Sequence, residues 1–290
     1  MKALLDAWAA SNAHFEALLG KLYENHGEPQ SLLFEAMNYS LLAGGKRLRP
    51  FLVYQFCKAC GGGEEDADNA ALAIEMVHTY SLIHDDLPAM DNDDYRRGRL
   101  TNHKVYGEAE AILAGDGLLT DAFRLLASSR MAPEKRAACV KLLALEAGPW
   151  GMVGGQVLDM LSEERKLTEE EVLDIQTRKT GGLIRAACGM GVLCGGGTEE
   201  QFSAALRYAD GVGLAFQIRD DMLDLIGDAA KLGKAVGVDA NKNTFVRLWG
   251  LERCGELIEQ ETEAAINALF VLQEPGILTD LARYLAKRDH

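Results

Sequence analysis

The chain predicts an all-α fold, one large bundle of about ten or more helices, and three observations carry that expectation. Leu and Ala dominate a sequence that is 48% hydrophobic and holds only six prolines, a balance that favours helix over sheet. Apolar residues recur at three- and four-residue spacing along most of the 290 positions. Helix-start signals recur as well: Thr168-Glu-Glu-Glu171 and Thr198-Glu-Glu-Gln201 both have the capping-box pattern. No Ser- or Pro-rich linker divides the sequence and no repeat of 20–50 residues is visible, so residues 1–290 read as a single domain.

The elements follow in order. Residues 3–24 place Leu4, Leu5, Trp8, Phe15, Leu18, Leu19 and Leu22 at helical spacing. A second helix is expected over 31–42, ending at Gly44-Gly45. Lys46-Arg-Leu-Arg-Pro50 then puts three cations just before an apolar helix, Phe51 to Ala59, which Gly61-Gly-Gly63 closes. A long helix over 66–86 follows. Helices are expected at 108–128, 134–147 with Pro133 near its first turn, and 150–163, then after Thr168 and Thr198. Loop signals return from Gly227 to Asn243, and two or three helices complete the chain to Lys287.

A net charge of −14 argues against a nucleic-acid or anionic-membrane surface. No apolar run reaches the roughly 18 residues of a membrane span. Asp6 comes too early for a signal peptide, so a cytoplasmic enzyme is the expectation. Cys57-Lys-Ala-Cys60 lacks the further ligands a zinc site needs, and the other four cysteines lie in apolar helical contexts as buried thiols.

One stretch departs from ordinary helical sequence. Between Asp85 and Arg97 lie five aspartates and two arginines, directly after the apolar run Ala71 to Ile83. Carboxylates packed that densely repel one another unless divalent cations neutralise them. The adjacent arginines could hold an anion that shares those cations. A magnesium-bridged phosphate or diphosphate site is the resulting expectation. Pro88 must distort or end the helix, which lets Asp91 return beside Asp85. Spacing does not choose among Asp91, Asp93 and Asp94 as the third carboxylate.

A second acidic cluster, Asp220-Asp-Met-Leu-Asp224, falls within the helix opened by Thr198. On a helical wheel Asp220 and Asp224 lie about 40° apart and Asp221 about 60° from Asp224. Gln217, four residues before Asp221, joins that face. One such cluster is most often a solvated acidic face; two in one helical chain point to a shared cation site.

Several motifs occur in a fixed order: Gly44-Gly-Lys-Arg-Leu-Arg-Pro50, His78, Ser81-Leu-Ile-His-Asp-Asp-Leu-Pro-Ala-Met-Asp91, Arg96-Arg97, Gly155-Gln156, Lys179-Thr180 and Gln217-x-x-Asp-Asp-x-x-Asp224. In that order they resemble the trans-isoprenyl diphosphate synthases, and among them the bacterial short-chain farnesyl diphosphate synthases. The resemblance covers nearly the whole chain. It implies the isoprenoid synthase fold, in which two aspartate clusters face each other across a central cavity and hold three Mg²⁺ ions. Asp85, Asp86 and Asp91 would be ligands on one wall, and Asp220, Asp221 and Asp224 on the other. An allylic diphosphate would bind those metals with Arg96, Lys179 and Lys234, and Lys242 resembles a further lysine of the same loop. Isopentenyl diphosphate would bind without metal on Lys46, Arg49, His78 and Arg97. The implied reaction is ionisation, condensation and elimination, with Thr180, the Lys179 carbonyl and Gln217 stabilising the allylic cation. A homodimer is implied by the same resemblance.

Gly181-Gly182 fits a carbonyl freed from its helix, since glycine weakens a helix by roughly 1 kcal/mol; close helix packing explains it equally well. Arg47 and Arg99 read as surface or supporting cations, His84 and His103 as structural residues, and Asp159 as a structural hydrogen-bonding group. Tyr80 and Ser81 sit five and four residues before Asp85, roughly 7 Å down the helix. In the resembled family an aromatic residue there floors the cavity, which makes farnesyl diphosphate the expected product. Geranyl or geranylgeranyl diphosphate, a class I terpene cyclase and an inactive partner subunit are the alternatives.

Overall fold

The computed structural model describes residues 1–24, 27–162, 165–232 and 244–288, the side chains at 224 and 226–232 excepted. Its helices, in order, are α1 (Lys2–Leu19), α2 (Ser31–Leu41), α3 (Leu48–Ala59), α4 (Glu64–Asp85), α5 (Asn102–Tyr106), α6 (Glu108–Ala127), α7 (Pro133–Ala147), α8 (Met152–Ser162), α9 (Glu169–Gln176), α10 (Gly182–Gly195), α11 (Glu199–Leu232), α12 (Phe245–Ala268) and α13 (Gly276–Lys287). The all-α expectation is met. The one sheet among the described residues is a two-stranded hairpin, β1 (Tyr95–Arg96) with β2 (Arg99–Leu100).

The two capping boxes form as the sequence predicts. Thr168 Oγ1 accepts from the Glu171 amide at 3.3 Å, and Glu171 returns a carboxylate to the Thr168 amide at 2.9 Å. Thr198 and Gln201 make the same exchange at 3.2 and 2.9 Å. Each pair satisfies two amides that a helix start otherwise leaves open.

Helix α10 is apolar nearly all round and is the most enclosed element, packing against α3, α4, α7 and α11. A Cβ at Gly191 would lie 2.5 Å from the Val53 carbonyl oxygen, so this glycine sets how closely α3 and α10 approach. Helix α4 packs on α3, α6 and α10 through a run of small and apolar residues from Ala67 to Val77. A second apolar cluster, with Val172, Ile175, Ile218, Phe245 and Ile258 in it, ties α9, α11 and α12 together. Helix α11 continues past the expected loop signal at Gly227 as far as Leu232. Burial of this mass of aliphatic side chains, at about 25 cal/mol per Å² of apolar surface, is the main driving force of the fold.

All six cysteines are free, five of them buried. Among the described residues no helix is long and apolar enough to cross a membrane.

Candidate active site

The first acidic stretch ends α4 in the way Pro88 requires. The helix stops at Asp85, and the chain turns so tightly that the Asp91 amide donates to the Asp85 carbonyl at 2.8 Å. The Asn92 amide closes on the Leu87 carbonyl at 3.1 Å, with Asn92 itself at φ 54°. Asp91 is thereby returned beside Asp85, as the break at Pro88 allows. Burial pushes the Asp85 carboxyl up to about 6; Lys179 and Arg96 oppose the shift, while Asp91 and Asp86 add to it.

Asp86 behaves differently. It is 3% exposed, and its Oδ1 accepts from Arg96 Nε at 2.7 Å and Nη2 at 2.6 Å. Burial raises its carboxyl, with the Arg96 guanidinium pulling the other way. Asp86, expected beside Asp85 and Asp91 as a metal ligand, is paired with Arg96 in the structure. Asp93 lies 3.8 Å from the same guanidinium, and Asp94 pairs with Lys104 at 2.7 Å.

The hairpin after this stretch, which sequence analysis missed, separates the two adjacent arginines. Arg97 and Gly98 both have positive φ, 53° and 74°, the geometry of a tight two-residue hairpin turn. Arg96 stays on β1 beside Asp86. Arg97 is carried to the turn, where its guanidinium donates to the Gly44 carbonyl. Gly45, at φ 132°, holds a backbone conformation that strains any other residue, and a Cβ there would also lie 2.9 Å from that guanidinium. The glycine of Arg97-Gly98 was the signal available in the sequence.

Arg97 opens onto a cleft of about 750 Å³ that also takes in Lys46, Arg49 and His78, so the four residues expected at a metal-free anion site line one cavity. Burial lowers the Arg49 and Arg97 guanidinium values, each partly restored by Glu75. Burial, then Arg49 and Arg97, hold His78 well below the usual imidazole range, so it is neutral at pH 7 and offers a hydrogen bond rather than a charge. The Arg49 Nε is buried with no hydrogen-bond partner among the described residues, a donor that calls for an acceptor.

Arg47, expected as a surface or supporting cation, is buried at 3% exposure. It donates to Glu75 Oε1 at 2.6 Å, Glu16 Oε1 at 2.7 Å and the Leu41 carbonyl at 2.6 Å. Burial opposes its charge, and the two carboxylates more than offset that. Glu75 escaped the sequence reading, although a lone acid between Ile74 and Met76 in an apolar helix was a visible signal.

The far wall is reached through a π-helical turn over Thr177–Gly181. Both readings of Gly181-Gly182 hold in part: the helix is loosened there, and a Cβ at Gly182 would meet the Glu146 carbonyl at 2.6 Å. Lys179 Nζ bonds Asp159 at 2.6 Å and acts on Asp85 through its charge. Thr180 Oγ1 donates to Gln217 Oε1 at 3.2 Å, and Gln217 Nε2 donates to Asp221 Oδ1 at 3.2 Å. Asp221 Oδ2 in turn accepts from the Phe245 amide at 2.9 Å. A hydrogen-bonded path thus runs from the π turn to the second acidic cluster. Asp220 pairs with Arg288, whose guanidinium lies 3.7 Å over the Phe216 ring. No spacing rule links those positions, so Arg288 was not foreseen. The Asp224 side chain, Lys234 and Lys242 lie outside the described residues.

Below Asp85, Tyr80 is buried at 6% exposure and meets His84 edge-on at 5.7 Å. Burial pushes its phenol up to about 12, with Asp85 adding to the shift. Ser81 Oγ bonds the His78 carbonyl at 2.9 Å, within its own helix.

The polyprenyl synthetase family model matches residues 30–269. The chain belongs to that family. It is 45% identical over 282 residues to a farnesyl diphosphate synthase of Micrococcus luteus, covering 96% of this chain and 97% of that protein. It is 47% identical over 264 residues to geranylgeranyl pyrophosphate synthase 3, chloroplastic, of Arabidopsis thaliana, covering 88% of this chain and 73% of that one. Among solved structures, an apo FPP/GFPP synthase from Zymomonas mobilis superposes with a TM-score of 0.89 at 35% identity, covering 98% of this chain and all of that one.

The family generally uses Mg²⁺, and the residues present fit it. The donors are hard carboxylate oxygens, and a backbone bond draws the Asp85 and Asp91 segments together. Among the described residues no three acidic, His or Cys side chains form a metal cage by themselves. Magnesium characteristically takes few protein ligands and completes its shell with water and phosphate oxygens.

Proposed function

We propose that this prenyltransferase condenses isopentenyl diphosphate with dimethylallyl and then geranyl diphosphate to give farnesyl diphosphate. The observation that carries the reading is the split of two adjacent arginines, Arg96 onto the aspartate wall and Arg97 into a separate basic cleft. Two diphosphates can then be held by two different chemistries at neighbouring positions.

Asp85, Asp86, Asp91 and Asp221 would hold magnesium, with Asp220 released from Arg288 to join them, and Asp86 would also fix Arg96. Bound metal would neutralise charge on the departing diphosphate. Arg96 and Lys179 would bind oxygens of that same group and stabilise it as it leaves. The Thr180 hydroxyl, the Gln217 amide oxygen and a carbonyl of the π turn would direct their dipoles at the allylic cation. Arg49, Arg97, Lys46 and neutral His78 would fix isopentenyl diphosphate so that its double bond attacks the cation; the released diphosphate then takes the proton. Lys234 and Lys242 belong to the same proposal through family resemblance, as do a count of three magnesium ions and a third far-wall ligand in Asp224.

Buried Tyr80 supports the fifteen-carbon product, because the growing chain would meet its ring below Asp85. The full-length match to the Micrococcus luteus enzyme supports it too. Incubation with labelled isopentenyl and dimethylallyl diphosphates and Mg²⁺ is expected to yield mainly farnesyl diphosphate. A main product of twenty or more carbons contradicts the length assignment, and absence of any condensation contradicts the activity. In Tyr80→Ala the product is expected to lengthen to twenty carbons or more.

We further propose a cytoplasmic homodimer acting as one catalytic domain per chain. Helices α6 and α8 expose Leu113 and Leu161 at 58% and 70%, apolar surface suited to a second copy. Sedimentation at micromolar concentration is expected to give the mass of two chains.

A further inference from the structure

The basic cleft contains an acid. Among the described residues that line it, Lys46, Arg47, Arg49, Arg97 and Arg288 are cations and Glu75 is the one carboxylate. A carboxylate in an anion site weakens anion binding if charge alone matters. Its presence there calls for another role.

We propose that Glu75 is the positioning residue of this cleft, acting through Arg47 to set where Arg49 and Arg97 stand relative to a bound diphosphate. The inference rests on the reading of the cleft as the isopentenyl diphosphate site. The geometry behind it starts at Arg47, which has φ 49° and ψ 39° as the residue that caps α3. A non-glycine residue held there costs about 1 kcal/mol or more, and persists only where its surroundings impose it. Those surroundings are Glu75, Glu16 and the Leu41 carbonyl, which together engage three guanidinium nitrogens. With Arg47 pinned, its neighbours Lys46 and Arg49 leave the strained turn in fixed directions. The Gly44 carbonyl of the same segment accepts from Arg97, so the hairpin arginine takes its position from that segment too.

Burial matters as much as geometry. The Arg47 and Glu75 side chains are 1% and 3% exposed, so their bond is shielded from water and from salt. Glu75 lies one helical turn before His78 on α4 and shares its face, which sets the bond directly under the cleft. Both Arg49 and Arg97 sense the Glu75 charge. Three guanidiniums gathered in a half-desolvated space repel one another, and a single buried carboxylate lets them stay together before any substrate arrives.

The two roles predict opposite signs, which makes the test sharp. If Glu75 acted only as a local negative charge, Glu75→Gln would tighten isopentenyl diphosphate. As a positioning residue its loss weakens that substrate alone. In steady-state kinetics on the full chain, Glu75→Gln and the charge-preserving Arg47→Lys are each expected to raise KM for isopentenyl diphosphate about tenfold or more, the scale of one charged hydrogen bond. KM for the allylic diphosphate is expected to stay within about twofold of wild type, a split that general loosening of the fold would not produce. An unchanged or lowered isopentenyl KM overturns the proposal, as does an equal rise for both substrates. Far-UV circular dichroism identifies a variant that does not fold; the other then decides, and loss of fold in both makes the pair a stability element and overturns the proposal. Arg49→Met separates this inference from the reading beneath it. If Arg49→Met leaves the isopentenyl KM unaltered, the cleft is not the substrate site and the reading fails. If Arg49→Met raises KM while Glu75→Gln does not, only the inference fails.

Discussion

The aspartate wall and the basic cleft are a few residues apart in sequence, meeting at Arg96-Arg97, yet they solve the problem of crowded like charges in opposite ways. On the wall, Asp85 and Asp91 are brought together by a backbone turn, and the Asp85 carboxyl is raised by burial first and by its acidic neighbours second. In the cleft, the crowd of guanidiniums is relieved from within by buried Glu75. The wall is left for an external cation to complete, whereas the cleft holds a counter-charge of its own and leaves the buried Arg49 Nε for an anion. Two diphosphates of similar charge would be told apart by this difference: one binds where metal is, the other where metal is not needed.

Changes on the wall should have the largest effect and leave the cleft alone. Asp85→Asn, or chelation of magnesium from the wild type, is expected to lower turnover about a thousandfold, equivalent to about 4 kcal/mol of lost leaving-group stabilisation. Isopentenyl diphosphate affinity measured by calorimetry on the same samples should change less than about twofold. A parallel loss of both would break the comparison. Next in size is Arg49→Met, for which KM for isopentenyl diphosphate is expected to rise about 10- to 100-fold, the effect of removing a buried charged donor. The magnesium concentration at half-maximal rate should not move, which titration of MgCl₂ at saturating substrates will show. The smallest effect is expected from Gly45→Ala. The new Cβ meets the Arg97 guanidinium, and the backbone sits at φ 132° where alanine is strained. A rise of about three- to tenfold in isopentenyl diphosphate KM, again without change in the allylic KM, is the expected outcome.

Much of this arrangement was legible in the sequence, and the parts that were not share a physical reason. The helices follow from apolar periodicity and from capping boxes such as Thr168-x-x-Glu171, both local signals. Pro88 announced that α4 ends at the aspartates, because a missing amide and a clash with the preceding residue act on neighbouring positions. Spacing alone could not show which aspartate returns to Asp85; that depended on the six-residue backbone bond from Asp91. The split of Arg96 from Arg97 depended on a hairpin whose turn holds a non-glycine residue at positive φ, a conformation that composition disfavours and tertiary contacts impose. Pairs distant in sequence, Arg47 with Glu75 and Arg288 with Asp220, have no periodicity to announce them. Glu75 was the partial exception, since an acid inside an apolar helix face asks for a partner even before that partner is known.

The central claim is that one diphosphate site needs metal and its neighbour does not. Isothermal titration of the full chain with isopentenyl diphosphate, and separately with an unreactive allylic thiolodiphosphate, each with and without Mg²⁺, tests it directly. The account predicts that isopentenyl diphosphate binds equally well in EDTA and that the allylic analogue binds only when Mg²⁺ is present. Isopentenyl diphosphate binding that vanishes on chelation, or allylic binding that survives it unchanged, would contradict the account.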